Sequence, residues 1–280
     1  MIPVRDGADS IGALLDSLAR QTLARERFEV VVVDNASRDD TAAVARERGA
    51  RVVHEPIPNR SRARNAGVAA AEAGLIAFTD ADCVARERWL EELLACAPRA
   101  PLVAGEVVTS TAEPPNAIER FERLWRFGQG AWVTQQGWAA TANLLVAREA
   151  FDAVGGLDPA WHHIGEDADF CLRARDAGYG LDFCPDAVIE HRAEERLLPL
   201  LKRSYRHGYS ANQAWHRLGL AERAWRHPGG LLSGRRAFRR LGLDETPLAG
   251  GDGRSLAALA RASYAARVVG SVTAELKRAR

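Results

Sequence analysis

The sequence predicts an α/β domain built on a doubly wound, mostly parallel sheet. Three observations carry that prediction. Strand-like and helix-like segments alternate through the first hundred residues. The run Val30-Val31-Val32-Val33 is β-branched with no polar alternation, as in a strand covered on both faces. Acidic or polar clusters, namely Arg5-Asp6, Asp34-Asn35 and Asp80-Ala81-Asp82, follow three apolar runs. In such a sheet, ligands collect outside the carboxyl ends of the strands, so these clusters are expected to share one crevice.

The elements follow in order. Met1-Ile2-Pro3-Val4 reads as the end of a strand. Ile11, Leu14, Leu15 and Leu18 have helical spacing. Phe28 to Asp34 is the second strand. Ser37-Arg38-Asp39-Asp40 has the pattern of a capping box opening a helix from Thr41 to Arg48, which Gly49 stops. Arg51 to His54 is the next strand, Arg60 to Gly74 the third helix, and Leu75 to Thr79 the strand before Asp80. Trp138 to Asn143 is expected as a strand. A helix opens at Glu166, with Phe170, Leu172, Ala174 and Ala177 as its apolar residues.

The chain has 280 residues, long enough for one large domain or one domain with an appendage. Lys+Arg total 38 and Asp+Glu 37, so a net charge of +1 offers no field for nucleic acid. No apolar run is long enough to span a bilayer and no signal peptide is visible. The four cysteines, Cys83, Cys96, Cys171 and Cys184, form no C-x-x-C pair. They are read as reduced thiols of a cytosolic protein, not as a zinc site or a disulfide frame. The dinucleotide glycine fingerprint and the Walker A pattern are both absent.

Two constellations carry chemistry. Asp80 and Asp82 flank one residue at a strand end, where paired carboxylates are costly without a positive partner. A divalent cation carrying a phosphate meets that need. The bland alternative is a pair of helix caps. Glu166-Asp167 opens a helix after Gly165, where a carboxylate can take a proton from an attacking hydroxyl. Arg60, Arg62 and Arg64, at spacing two, cannot share one helical face. Arg64 with Asn65 is the expected pocket pair, with Arg60 at its rim and Arg62 in solvent. Asp169 and Arg173, four apart, read as an ion pair.

These segments together resemble family 2 glycosyltransferases. Val31 to Thr41 is similar to the family's first nucleotide-binding segment. Asn59-Arg60-Ser61-Arg62-Ala63-Arg64-Asn65-Ala66-Gly67 resembles its R-x-x-A-R-N-x-G stretch, and Asp80-Ala81-Asp82 its D-x-D. Gly155-Gly156-Leu157-Asp158 and Gly165-Glu166-Asp167-Ala168-Asp169-Phe170-Cys171-Leu172-Arg173 resemble the pair of motifs that closes the catalytic domain. The resemblance runs from Ile2 to His191 and implies the GT-A fold: residues 1–193 as catalytic domain (nucleotide-binding to about 105, acceptor-binding from about 106) and 194–280 as a helical extension. It implies a nucleotide-diphosphate sugar as donor and Mn²⁺ or Mg²⁺ as cofactor. Pro3, Arg5, Asp34, Arg64, Asn65, Asp80 and Ala81 would line the donor, with Asp34 on the base and Asp80 on the ribose. Asp82 and His191 would hold the metal. Asp167 would be the base of an inverting transfer. Glu166, Asn143, Trp138 and His163 would meet the acceptor, a glycan of cell-envelope type, a lipid-linked saccharide or a small metabolite. In the segment Thr141-Ala142-Asn143 the threonine departs from the family's usual G-A-N. A sugar nucleotidyltransferase and a catalytically silent sugar-binding protein are the alternatives. The first would need a Gly-rich basic loop after the first strand, which is not seen.

Beyond His191 the resemblance weakens. Arg196 to Leu220 is an amphipathic basic helix with Tyr205, Tyr209 and Trp215. It would either pack on the protein or lie peripherally on the inner face of a membrane. Arg223 to Gly253 reads as loops with short helices, and Ser255 to Arg280 as a final helix.

Overall fold

The computed structural model describes residues 1–124, 128–161, 164–218, 237, 241 and 252–278, with the side chains of 214–218 excepted. The chain divides into two compact units. The first takes in 1–108, 127–160 and 166–192; the second takes in 109–126, 161–165 and 193–280.

The first unit is the α/β body. Its strands are β1 (Ile2–Val4), β2 (Val31–Asp34), β3 (Arg51–His54), β4 (Leu75–Thr79), β5 (Cys83–Ala85), β6 (Leu102–Ser110, whose last two residues belong to the second unit), β7 (Asn143–Ala147) and β8 (Leu181–Arg192). Helices α1 (Ala8–Ala19), α2 (Thr41–Glu47), α3 (Arg60–Ala70), α4 (Trp89–Cys96) and α7 (Arg148–Ala153) fall between or after them. Strands β1, β2 and β3 pair in parallel, with Val4 opposite Asp34 and Asp34 opposite His54. Met1 joins this sheet to β4: its amino group donates to the Ala77 carbonyl at 2.7 Å, and Thr79 N–H donates to the Met1 carbonyl at 3.3 Å. The second sheet has the order β4-β7-β6-β8-β5. Its β4–β7, β6–β7 and β5–β8 pairs are antiparallel, so the two sheets together are mixed and less parallel than expected.

Side-chain alternation builds two cores, one on each face of the sheet. Ile76, Phe78, Leu102, Ala104, Leu144 and Val146 face a cluster with Phe151 and Phe170. Val32, Val103 and Leu145 face the other, with Ile11, Leu14, Leu18, Trp89 and Leu93. The valine run of β2 is buried at every position, as its unbroken apolar pattern predicts.

Three features depart from the sequence expectation. Ser37 does not cap α2. Its hydroxyl accepts from Asp6 N–H at 3.0 Å, while the Asp39 carboxylate accepts from the N–H of Thr41 at 3.1 Å and of Ala8 at 3.0 Å. The short strand β5 follows the D-x-D directly, and β7 begins only at Asn143, the residues before it forming a turn. Cys96 and Cys184 are joined as a disulfide across 88 residues, with Cα atoms 6.2 Å apart, and are not reduced thiols. The pairing arises because α4 lies along β8, which no local spacing reveals. Cys83 and Cys171 remain free and buried.

The second unit is helical. It contains α5 (Ala117–Glu122), α9 (Leu197–Leu218) and α10 (Gly253–Arg278), and its core is Phe121, Leu200, Ala237, Leu241, Leu256, Ala260 and Tyr264. The amphipathic stretch is therefore a helix packed on another helix. That crossing is tight: a Cβ on Gly208 would lie 1.9 Å from the Arg267 carbonyl oxygen, and one on Gly270 would lie 2.0 Å from that of Tyr205. Leu197 and Leu198 stay exposed at the start of α9. Most of the expected loop region 223–253 and the side chain of Trp215 lie outside the described residues. Among the described residues, no helix is long and apolar enough to cross a membrane.

Candidate active site

The site grows from the carboxyl ends of β1, β2 and β4. Asp6 and Ala36, just past the first two strands, both adopt left-handed backbone, with φ of 52° and 58°. A non-glycine residue held there costs about 1–3 kcal/mol, and such outliers gather at ligand-binding turns. The two loops brace each other, since Arg38 N–H donates to the Asp6 carboxylate at 2.7 Å. Asp34 is buried. Its carboxylate accepts from Ser37 N–H at 3.1 Å and meets His54 Nδ1 at 3.3 Å. Asn35 pins the loop after β3 by donating to the carbonyls of Glu55 and Ile57 and accepting from Asn59 N–H. Pro3 sits in β1 opposite Val33, and Arg5 is exposed beside Asp6.

Helix α3 turns Ser61, Ala63, Arg64, Gly67 and Val68 inward, which carries Arg64 into the protein and leaves Arg60 and Arg62 outside. Arg64 is 3% exposed. Its guanidinium bridges two carboxylates, Asp80 Oδ1 and Glu166 Oε1, each at 2.9 Å. The sequence places Arg64 on the donor; the structure instead makes it an internal clamp between the D-x-D and the E-D pair. Asn65 is likewise structural, exchanging hydrogen bonds with the backbone of Leu157 at 2.9 and 3.0 Å. Ser61 donates to the Asp158 carbonyl, so α3 and the Gly155–Asp158 turn are tied across nearly a hundred residues.

Helix α8 (Glu166–Asp176) carries the second constellation. Arg173 pairs with Asp169 at 2.9 Å and donates to the carbonyls of Val154 and Gly156, fixing the helix against that turn. Glu166 is 3% exposed, and its Oε2 is buried with no hydrogen-bond partner among the described residues. Burial pushes the Asp167 carboxyl up to about 6, with the Glu166 charge adding to the rise and Arg64 opposing it. Burial also works against charge on Asp80. Arg64, Arg60 and His191 outweigh it and hold that carboxyl below its ordinary range. Opposed environments thus make Asp80 a firm anion and Asp167 a proton acceptor near neutrality.

At the far end of the D-x-D, Asp82 is exposed and its Oδ2 lies 3.5 Å from His191 Nε2. A carboxylate oxygen and an imidazole nitrogen are suitable ligands for a divalent ion, and Asp82 has room for substrate oxygens beside it. The pair therefore fits a metal of the Mn²⁺ or Mg²⁺ kind. Ala81 is half-buried between the two aspartates. Cys83 completes a cluster with Asp82 and His191, a feature the sequence reading passed over.

The expected acceptor residues divide. Asn143 is 0% exposed, with its Oδ1 accepting from Trp89 Nε1 and its Nδ2 donating to the carbonyls of Glu106 and Ala187. It is a staple of the sheet, not a group presented to an acceptor. Gln129, in α6 (Gln129–Gln136), braces the same turn through Ala140 and Asn143. Trp138 is half-buried and stacks on Trp132 with ring centroids 4.6 Å apart. Trp161 is buried. His163 and His162 lie outside the described residues.

Residues 1–152 match the family described as Glycosyl transferase family 2. The chain belongs to that family. It is 30% identical over 225 residues to glycosyltransferase AglE of Haloferax volcanii, covering 77% of this chain and 73% of the relative. It is 32% identical over 224 residues to the pre-mycofactocin glycosyltransferase of Mycobacterium tuberculosis, covering 75% of this chain but only 46% of that one. Among solved structures, the mannosyltransferase PcManGT of Pyrobaculum calidifontis, in complex with GDP-Man and Mn²⁺, superposes with a TM-score of 0.66 at 19% identity, covering 99% of this chain and 86% of that one. TarS of S. aureus, residues 1–349 with UDP, gives a TM-score of 0.55 at 14% identity, covering 100% and 91%. The fold is GT-A. The protein is a glycosyltransferase of the nucleotide-sugar-dependent kind, in the EC 2.4 class.

Proposed function

We propose that this enzyme transfers a sugar, with inversion, from a nucleotide-diphosphate sugar to a hydroxyl acceptor, using a divalent metal. The observation that carries the reading is the Arg64 clamp. It keeps Asp80 ionised on the donor side and fixes Glu166 beside Asp167, whose carboxyl is raised to about 6. Asp34 would accept a hydrogen bond from the nucleobase, and Asp80 one from the ribose. Asp82 and His191 would hold the metal. When bound, the metal supplies charge neutralisation for the departing diphosphate.

The acceptor hydroxyl oxygen attacks the anomeric carbon and gives its proton to Asp167. The bond from that carbon to the diphosphate oxygen breaks, and the nucleoside diphosphate leaves. Glu166 Oε2, buried and unpartnered among the described residues, would accept a hydrogen bond from the incoming acceptor. One base serves one direct displacement, so configuration inverts. The stacked Trp132–Trp138 pair offers an aromatic surface for an acceptor sugar. The acceptor class proposed is a glycan, a lipid-linked saccharide or a small metabolite. Exposed Leu197 and Leu198, followed by Lys202 and Arg206, suit peripheral contact with an anionic membrane face. We read 1–193 as the catalytic domain and 194–280 as its extension.

The test is a nucleotide-sugar panel read for nucleoside diphosphate release, with the sugar product's anomer followed by NMR. An inverted anomer, lost in Asp167→Asn, is the expected result. Retention of configuration would overturn the single displacement.

A further inference from the structure

Cys83 has no part in the reaction described above, yet it occupies a defined place beside it. In the antiparallel β5–β8 pair Cys83 lies directly opposite His191, so the two side chains leave the same face of the ladder. Arg192 N–H donates to the Asp82 carbonyl at 3.1 Å, which folds Asp82 back against that pair. One carboxylate oxygen of Asp82, the Cys83 sulfur and one imidazole nitrogen of His191 consequently lie within 4.8 Å of one another.

This is a mixed oxygen, sulfur and nitrogen donor set brought together from two strands. Hard ions such as Mg²⁺ and Mn²⁺ favour oxygen, whereas sulfur and imidazole favour Zn²⁺ and its neighbours in the later transition series. The spacing accommodates such an ion. Two ligand atoms each about 2.1 Å from a tetrahedral ion stand about 3.4 Å apart. Asp82 Oδ2 and His191 Nε2 are 3.5 Å apart.

We propose that Asp82, Cys83 and His191 form a thiol-containing site that takes a thiophilic divalent ion of the Zn²⁺ type and thereby competes with the hard ion of the transfer reaction. The proposal rests on the reading of Asp82 and His191 as the metal-holding pair. On binding, a sulfur–metal bond forms and the thiol proton passes to solvent, with no change of oxidation state. A tetrahedral ion held by three protein ligands keeps one open position, whereas an octahedral ion held by Asp82 and His191 keeps four. The thiophilic ion therefore grips a diphosphate less completely, and transfer slows when it is present.

The experiment titrates the metal-free protein with Co²⁺, the spectroscopic stand-in for Zn²⁺. The expected result is a near-ultraviolet thiolate-to-cobalt charge-transfer band that Zn²⁺ bleaches. Cys83→Ser should abolish the band and weaken Co²⁺ by about 10-fold or more. X-ray absorption on Zn²⁺-loaded unaltered protein gives a second readout that needs no variant, with one sulfur expected in the first shell. Mn²⁺ binding, read separately by electron paramagnetic resonance on the unaltered protein and Asp82→Ala, tests the underlying pair. If Mn²⁺ binds and is lost in Asp82→Ala, but Co²⁺ shows no charge-transfer band and Zn²⁺ no sulfur, this proposal fails and the transfer mechanism stands. A band that survives in Cys83→Ser, arising from Cys171, also overturns it. If neither Mn²⁺ nor Co²⁺ binds, both readings fail.

Discussion

Arg64 sets the chemistry at the residue scale. It is a buried cation among three carboxylates: Asp80 and Glu166 at 2.9 Å, and Asp167 through its field. Removing one member of a buried ion pair costs about 3–5 kcal/mol, because its partners keep their charge without compensation. Arg64→Met should therefore lower the Tm sharply, and adding Glu166→Gln should recover part of the loss in a double-mutant cycle. Simple additivity would show that the clamp is not a coupled unit. Asp167 carries the pH dependence. Its folded carboxyl sits near 6, above the ordinary value of 3.8, so ionisation disfavours the folded state. Stability contributed by this group falls as pH rises from about 4 to 6 and stays lower above that window. Asp167→Asn should raise the Tm at pH 8 and leave it unchanged at pH 4. As a general base, Asp167 must be ionised, so kcat/KM should rise through pH 6 and level off above it. General-base loss costs about 10²–10⁴-fold, measurable as reduced turnover in Asp167→Asn. At this scale the sequence singled out Asp80, Glu166 and Asp167, which the structure gathers around Arg64. It could not show that Arg64 meets Asp80 and Glu166, or that Asn65 meets the Leu157 backbone, because a motif gives residue types and not their partners.

Period and packing decide legibility at the element scale. The valine run of β2 and the apolar spacing of α1 were readable because each pattern matches one burial geometry. The strand β5 was not, since three residues carry too little period to separate from a turn. The disulfide between Cys96 and Cys184 was hidden for a different reason: its partners meet only after α4 has settled on β8. In the second unit, Gly208 and Gly270 let α9 and α10 approach until backbone nearly touches backbone. An exposed helical Gly→Ala change ordinarily stabilises by roughly 0.5–1 kcal/mol. Gly208→Ala should do the reverse, at a cost of about 1–3 kcal/mol from overpacking, and calorimetry should show a lower Tm. A gain in Tm would show that the two helices do not cross so closely.

The whole molecule unites two requirements of glycosyl transfer in its α/β unit. The parallel sheet presents Asp34 at a strand end, while the second sheet presents Asp80 after β4 and His191 in β8, and helix α8 carries Asp167. Topology and family were legible because five separated motifs kept their order along the chain. The helical unit was less legible, since amphipathic helices fit many partners equally well. In the proposed mechanism the D-x-D holds a nucleotide diphosphate through a divalent ion. The most direct measurement is thermal shift against UDP, GDP and dTDP with Mn²⁺, Mg²⁺ or EDTA, on the unaltered protein and Asp82→Ala. Ligand at 100 times its Kd stabilises by about 2.7 kcal/mol, well within detection. A shift with one nucleotide, present only with metal and absent in Asp82→Ala, is the predicted result. A shift that persists in EDTA or in Asp82→Ala, or no shift with any nucleotide, would contradict the claim.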